Sequence, residues 1–188
     1  MIVLKVITAS TRPGRRGKYI SQWVLESLQS HPAFQVEHLD LKEINLPFLD
    51  EPHHPRFQNY TMQHTKDWSK KISESDAFIF VIPEYNYGFT APLKNAIDFL
   101  FKEWAYKTAG IVSYGGLAGG TRATQMFKQV LTTLKMVPVT ESLPIPFFES
   151  HIKEGVFIPT EVLNNGLNGL FLEMIKLDKG LRVIREQG

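Results

Sequence analysis

The residues of this chain whose types and spacing suit chemistry fall in three short stretches, each following an apolar run. The first is Thr8-Ala9-Ser10-Thr11-Arg12-Pro13-Gly14-Arg15-Arg16-Gly17-Lys18. It sets two hydroxyls, Ser10 and Thr11, and three arginines just ahead of a helical repeat, where amides at a helix start are free to bind an anion. The G-x-x-x-x-G-K-[ST] and G-x-G-x-x-G spacings are both missing, so the chemistry suits a compact terminal phosphate better than a threaded pyrophosphate. A capped helix with a solvated basic turn, its Arg15-Arg16 pair on the surface, explains the same residues without a ligand.

The second stretch, Pro83-Glu84-Tyr85-Asn86-Tyr87-Gly88, joins the apolar run Ala77–Ile82 to a helical repeat on Leu93, Ala96, Ile97, Leu100, Phe101 and Trp104. A stiff, flat-ringed, hydrogen-bonding loop at the end of a buried strand suits a planar aromatic ligand. The plainer alternative packs Tyr85 and Tyr87 in a core or interface and uses Asn86 and Gly88 as a turn. Glu84 has the position of a catalytic carboxylate but no partner acid in sequence. It reads better as a backbone contributor or an ion-pair member. The third stretch is Ser113-Tyr114-Gly115-Gly116-Leu117-Ala118-Gly119-Gly120. Its glycines let the backbone approach a ligand closely and offer amides at a helix start; a flexible turn is the alternative. G-x-S-x-G is absent, so Ser113 has no hydrolase context.

Other chemistries are excluded or weakly signalled. There is no cysteine, which rules out disulfides, thiolate catalysis and Cys-ligated metals and agrees with a cytoplasmic protein. His53-His54 lacks metal-ligand spacing on a helix and reads as a solvated pair. The net charge of +2 is too small to argue for nucleic acid. Met1–Ile7 is too short and too soon broken for a signal peptide or membrane span.

The elements that must position these stretches alternate along the chain. Ile2–Ile7, Phe34–Leu41, Ala77–Ile82, Ala109–Tyr114 and a short Met136–Val139 read as strands. Helical repeats fall on Ile20, Trp23, Val24 and Leu28; on Thr65, Trp68 and Ile72; on the segment from Ala91; on Ala123, Met126, Phe127, Val130, Leu131 and Leu134; and on Leu167, Leu170, Phe171, Met174 and Ile175. This is an α/β pattern, a doubly wound five-stranded parallel sheet, expected as one domain over residues 1–188. With strand order 2-1-3-4-5, the three stretches meet where the winding reverses. Residues 42–59 form a long irregular loop rich in proline and histidine. The apolar side chains Leu93, Ile97, Leu100, Phe101 and Trp104 supply more apolar surface than one sheet face needs, which predicts a homodimer through that helix.

Together the three stretches resemble the NADPH-dependent FMN reductase family, the flavodoxin-like group that includes quinone and azo-dye reductases. The most specific match is Pro83-Glu84-Tyr85-Asn86 followed by Pro92-Leu93-Lys94-Asn95-Ala96-Ile97-Asp98; Ser10-x-Arg12 and Ser113-Tyr114-Gly115-Gly116 add to it. The match runs from residue 2 to about residue 135. The resemblance implies a flavodoxin-like sheet, noncovalent FMN, NADPH or NADH as hydride donor, a quinone, azo compound or free flavin as acceptor, and a dimer or tetramer. It places the FMN phosphate on Ser10, Arg12 and Arg15, the isoalloxazine on Pro83, Glu84, Tyr85 and Asn86, and the pyrimidine side under Ser113, Tyr114, Gly115 and Gly116. Thr90-Ala91-Pro92 departs from the Pro-Gly that family members often carry there, which touches the path of the loop. An electron carrier of the flavodoxin kind, or a flavin-based redox sensor, is the alternative; neither turns over NAD(P)H substantially.

Overall fold

The structure, a computed structural model, describes residues 1–187. The first strand, β1 (Ile2–Thr8), leads into helix α1 (Gly17–Leu28), and the edge strand β2 (Phe34–Asp40) into the single turn α2 (Leu41–Ile44). Helix α3 (Gln63–Ser73), strand β3 (Ala77–Pro83), helix α4 (Ala91–Asp98), strand β4 (Thr108–Tyr114) and helix α5 (Thr121–Thr133) follow. After them come β5 (Val137–Pro138), β6 (Leu143–Ile145), a small antiparallel hairpin of β7 (Ile152–Lys153) and β8 (Val156–Phe157), and the long helix α6 (Glu161–Glu186).

All pairings of the main sheet are parallel, in the order β2-β1-β3-β4-β5, as the alternation predicts. Every residue of β3 and β4 is buried, because helices cover both faces of these central strands. In β2 only Phe34 and Leu39 are buried and the other residues are partly or fully exposed, as befits an edge. The fifth strand differs from its expectation. It is broken in two: β5 pairs with Thr108 and Ala109, and β6 pairs with Val112, Ser113 and Tyr114 on the same edge of β4. Pro138 and Pro144 lie in these two pieces, and proline is tolerated only where a ladder amide can be spared.

Two hydrophobic layers flank the sheet. One joins Ile20, Trp23, Val24 and Leu28 of α1 to Leu167, Leu170, Phe171 and Met174 of α6. The other joins Trp68 and Ile72 of α3, Leu93 and Ile97 of α4, and Phe127 and Leu131 of α5. Leu93, Ile97, Leu100 and Trp104 are all at most 1% exposed, so the chain itself covers most of the apolar surface that suggested a partner helix. Trp104 packs edge-on against Trp68 at 6.1 Å and Phe78 at 5.1 Å, and its indole donates to the Ile97 carbonyl.

Residues 45–62 run over this second layer as a strap pinned by side chains. Asn95 bonds the strap backbone on both sides of Phe48, donating to Pro47 O at 2.7 Å and accepting from Leu49 N at 3.0 Å. Glu51 accepts from Thr61 and Met62, and those bonds hold its carboxyl down at about 2 against the opposing effect of burial. Buried Glu103 accepts from Gln58, Tyr60 and Ser69 side chains and from the Phe101 amide.

Candidate active site

The loops after β1, β3 and β4 converge at the carboxyl edge of the sheet, where the winding reverses. Between them lies a cleft of about 370 Å³ lined by residues of all three loops, Arg12, Tyr85 and Gly115 among them. Of the expected site residues, Ser10, Arg12, Arg15, Pro83, Glu84, Tyr85, Tyr114, Gly115 and Gly116 line it. A second cavity, of about 540 Å³, lies between the strap and α4. Its residue Asn95 already spends its amide on the strap backbone, and Lys42 is the one cation in its lining.

The β1–α1 loop forms the anion-binding end. Arg16 caps α1 without any side-chain hydrogen bond, and no acidic residue sits in the first turn. The amides at the positive end of α1 are therefore not capped by a side chain, and the carboxylate of Glu149 lies 3.9 Å from Arg16 Nε. Arg12 is exposed at the cleft and makes no ion pair or side-chain hydrogen bond among the described residues. Arg15 behaves differently. Its guanidinium is paired in a fork with Asp40 at the end of β2, one arm at 2.6 Å, and also donates to Ser10 O at 2.9 Å. Arg15 thus holds the loop in shape, and its charge is already matched. Burial raises the Asp40 carboxyl, but the bonds from Arg15 and the Lys42 amide outweigh it and leave the group below its usual range.

Ser10 is buried, and its hydroxyl lies 3.1 Å from that of Tyr85, linking the anion end to the β3 loop. Tyr85 and Gly88 exchange two backbone bonds of 2.9 Å, closing a turn whose central residues Asn86 and Tyr87 have φ of 49° and 71°. This pair of left-handed residues is the turn that suits a tight hairpin, with tyrosine where glycine is usual. Asn86 sits on the turn outside the cleft lining. Glu84 is the ion-pair member that the sequence suggests. One oxygen takes Arg122 Nη1 at 2.8 Å, and the other accepts from the Arg122 and Ala123 amides at 3.1 and 3.4 Å. It caps α5, whose N-cap Gly120 has no side chain for that task.

The β4–α5 loop departs most from its expectation. Ser113 is fully buried and its hydroxyl donates to Gly119 O at 2.9 Å, so it braces the glycine loop from inside. The Gly115 amide donates to Ile145 O at 3.3 Å, and Gly116 O accepts from the Gly119 and Phe147 amides. With Glu84 on α5 as well, the loop presents close backbone more than free donors. Gly120, at φ 87°, admits no side chain: a Cβ there would lie 2.7 Å from Ser113 Cβ and 2.8 Å from Tyr114 N. Tyr114 reaches across to α1, where a Cβ on Gly17 would fall 2.1 Å from its hydroxyl. Burial pushes this phenol up, so it stays protonated and able to donate beside the helix start. Phe148 packs on Tyr114 at 4.9 Å and, with Glu149, closes the cleft from beyond β6. Neither residue carries a signal in sequence that places it there; only the Pro144-Ile145-Pro146-Phe147-Phe148 run marks an apolar segment.

The residues fit FMN. An uncapped helix with Arg12 beside it suits the phosphate, and a rim of Pro83, Tyr85 and unsubstituted backbone at Gly115 and Gly116 suits a flat ring. No group of three or more potential metal ligands occurs among the described residues, and none of their helices is long and apolar enough to cross a membrane. The sequence is 42% identical over 158 residues to an NAD(P)H-dependent FMN reductase of Schizosaccharomyces pombe, covering 82% of this chain and 78% of that one. It is 36% identical over 134 residues to an NAD(P)H:quinone oxidoreductase of Solanum tuberosum, covering 68% and 67%. Among solved structures, a flavoenzyme NAD(P)H:(acceptor) oxidoreductase from Paracoccus denitrificans aligns with a TM-score of 0.76 over 95% of this chain and 98% of that one, at 17% identity, a likeness of fold. The sequence pattern of the NADPH-dependent FMN reductases matches residues 3–150, four-fifths of the chain and all three loops of the cleft, and the chain belongs to that family.

Proposed function

We propose that this protein is an NAD(P)H oxidoreductase that holds FMN in the cleft between the β1, β3 and β4 loops. The observation that carries this is the convergence of Ser10, Arg12, Pro83, Tyr85, Tyr114, Gly115 and Gly116 on one rim, beside a helix start that no side chain caps. Bound FMN supplies hydride chemistry, accepting from a nicotinamide and passing on to a quinone, an azo compound or free flavin. The residues supply binding and orientation. Ser10, Arg12, the α1 amides and the Tyr114 hydroxyl hold the phosphate. Pro83, Tyr85 and the Asn86 turn support the ring, and Gly115 and Gly116 let the backbone come close to its polar edge. Arg15, Glu84 and Ser113 hold those loops in place. No side chain is needed as nucleophile or base, so donor and acceptor use one open face in turn.

The same reading includes a cytoplasmic location and a dimer or tetramer. The exposed strap residues Phe48 (86%) and Phe57 (73%) offer more apolar surface to a second copy than α4 does. The deciding experiment is anaerobic mixing of the FMN-loaded protein with NADPH and, separately, NADH. Loss of the visible flavin bands within seconds, with parallel double-reciprocal lines in steady state, is expected. Flavin that stays oxidised under both nucleotides would assign the chain to electron carriage or redox sensing.

A further inference from the structure

If FMN stays bound while a dinucleotide comes and goes, the rim must handle two phosphorylated molecules, and its arginines divide accordingly. Arg12 faces the cleft, Arg15 is matched by Asp40, and Arg16, also in the lining, lies 3.9 Å from Glu149. Arg122, second residue of α5, stands outside, behind the wall made by Glu84 and Tyr85. Its guanidinium lies 4.0 Å above the ring of Tyr87 and donates from Nη1 to Glu84 at 2.8 Å. Its side chain is 45% exposed. Glu84 also accepts from the two α5 amides it caps, so its carboxylate is shared between the guanidinium and the helix start.

Tyr87 supplies the independent sign that the arrangement serves a ligand. Its backbone sits at φ 71°, a conformation that costs a bulky residue free energy, yet its ring is 67% exposed. The ring has one evident task here, to lie beneath Arg122. An arginine fixed on a flat ring and steered by a carboxylate is pre-organised, so fewer rotamers are lost when it grips an anion in a fork.

We infer that Arg122, seated on Tyr87 and steered by Glu84, recognises the 2′-phosphate of NADPH and sets the preference of this enzyme for NADPH over NADH. The inference rests on the cleft being the FMN and nicotinamide site. The two dinucleotides differ only there, in a phosphate dianion against a hydroxyl. A charge-assisted fork discriminates them, whereas every other contact is shared.

The test is the ratio of kcat/KM for NADPH to that for NADH, measured on FMN-loaded Arg122→Gln and Arg122→Lys, with anaerobic flavin bleaching as a second readout. Arg122→Gln is expected to lower the ratio roughly tenfold to a hundredfold, the loss of one charge-assisted contact. Arg122→Lys should restore part of it, and inhibition by 2′,5′-ADP should weaken in step. Equal losses for both dinucleotides, an unchanged ratio, or FMN shed from both variants would overturn the assignment and leave Arg122 as a brace for Glu84. Failure of the wild-type protein to bleach with either nucleotide would instead overturn the reading of the cleft.

Discussion

Arg12 and Arg15 are three residues apart and identical in type, yet only one is free to meet a ligand. Arg15 is drawn into its fork with Asp40 by the end of β2, whereas Arg12 projects from the loop at the cleft. Arg12→Ala should weaken FMN by roughly 1.5–3 kcal/mol, the value of a charge-assisted hydrogen bond. Fluorescence titration of apoprotein with FMN measures it, and unimpaired affinity would remove Arg12 from the phosphate site. Asp40 acts one step back, and its effect follows pH. Its folded-state pKa lies below the ordinary value, so the stabilisation it brings is present above the unfolded carboxyl range, about 3.9, and is lost as pH falls through the lower folded value. Wild-type protein should therefore lose loop order, and with it FMN, on acidification in that window. Asp40→Asn, which cannot neutralise Arg15, should bind FMN more weakly already at pH 7, with a flatter acid limb in the same titration.

At the scale of elements, the β4–α5 connection shows why the glycines are needed and where sequence reading stops. Gly120→Ala would drive a Cβ into Ser113 and Tyr114 N at a φ of 87°, so a loss of roughly 2–4 kcal/mol in unfolding free energy is expected, from strain and overpacking together. Denaturant unfolding checks it; a loss below half a kcal/mol would mean that the loop yields easily. The glycine run was legible because backbone closeness leaves a compositional mark. What the neighbouring polar groups do was not. Whether Ser113 faces a ligand or Gly119 O, and whether Gly115 N is free or bonded to Ile145 O, depends on β6, a three-residue strand that Pro144 within it and Pro146 after it hide from strand patterning. The strand order and the three loops were readable because β3 and β4 are buried on both faces and read as unbroken apolar runs. The surplus apolar side chains of α4 were misjudged for the opposite reason. Periodicity shows that Leu93 and Ile97 share a face, but not that α3 and the strap, held by Asn95, lie over the helix.

At the scale of the whole molecule, the end of the sheet opposite the cleft carries a buried cation that should set the response to alkali. Lys107 begins its course just before β4, is 6% exposed, and donates to Ile72 O and Ser73 O at 2.6 and 3.1 Å, closing the carboxyl end of α3. Burial, with Arg185 nearby adding to it, lowers its pKa to about 8, against which Asp76 and Glu103 pull weakly upward. A lysine whose folded value is depressed binds its proton less tightly in the folded state than in the unfolded one, where the value is about 10.4. Between these two values the unfolded chain carries more protons, so stability rises with pH across that window and is level below it. The full gain is on the order of 3 kcal/mol. Saturating FMN adds a stabilisation that varies little over this range and leaves the slope intact. Denaturation midpoints of the FMN-loaded protein from pH 7.5 to 9.5 should therefore climb, while those of Lys107→Met stay flat or fall. Met is of similar length and has no proton to lose, so the difference between the two curves isolates this one group. A wild-type curve that falls in parallel with the variant would show that the ammonium is solvated and that the α3 end is held by ordinary hydrogen bonds alone.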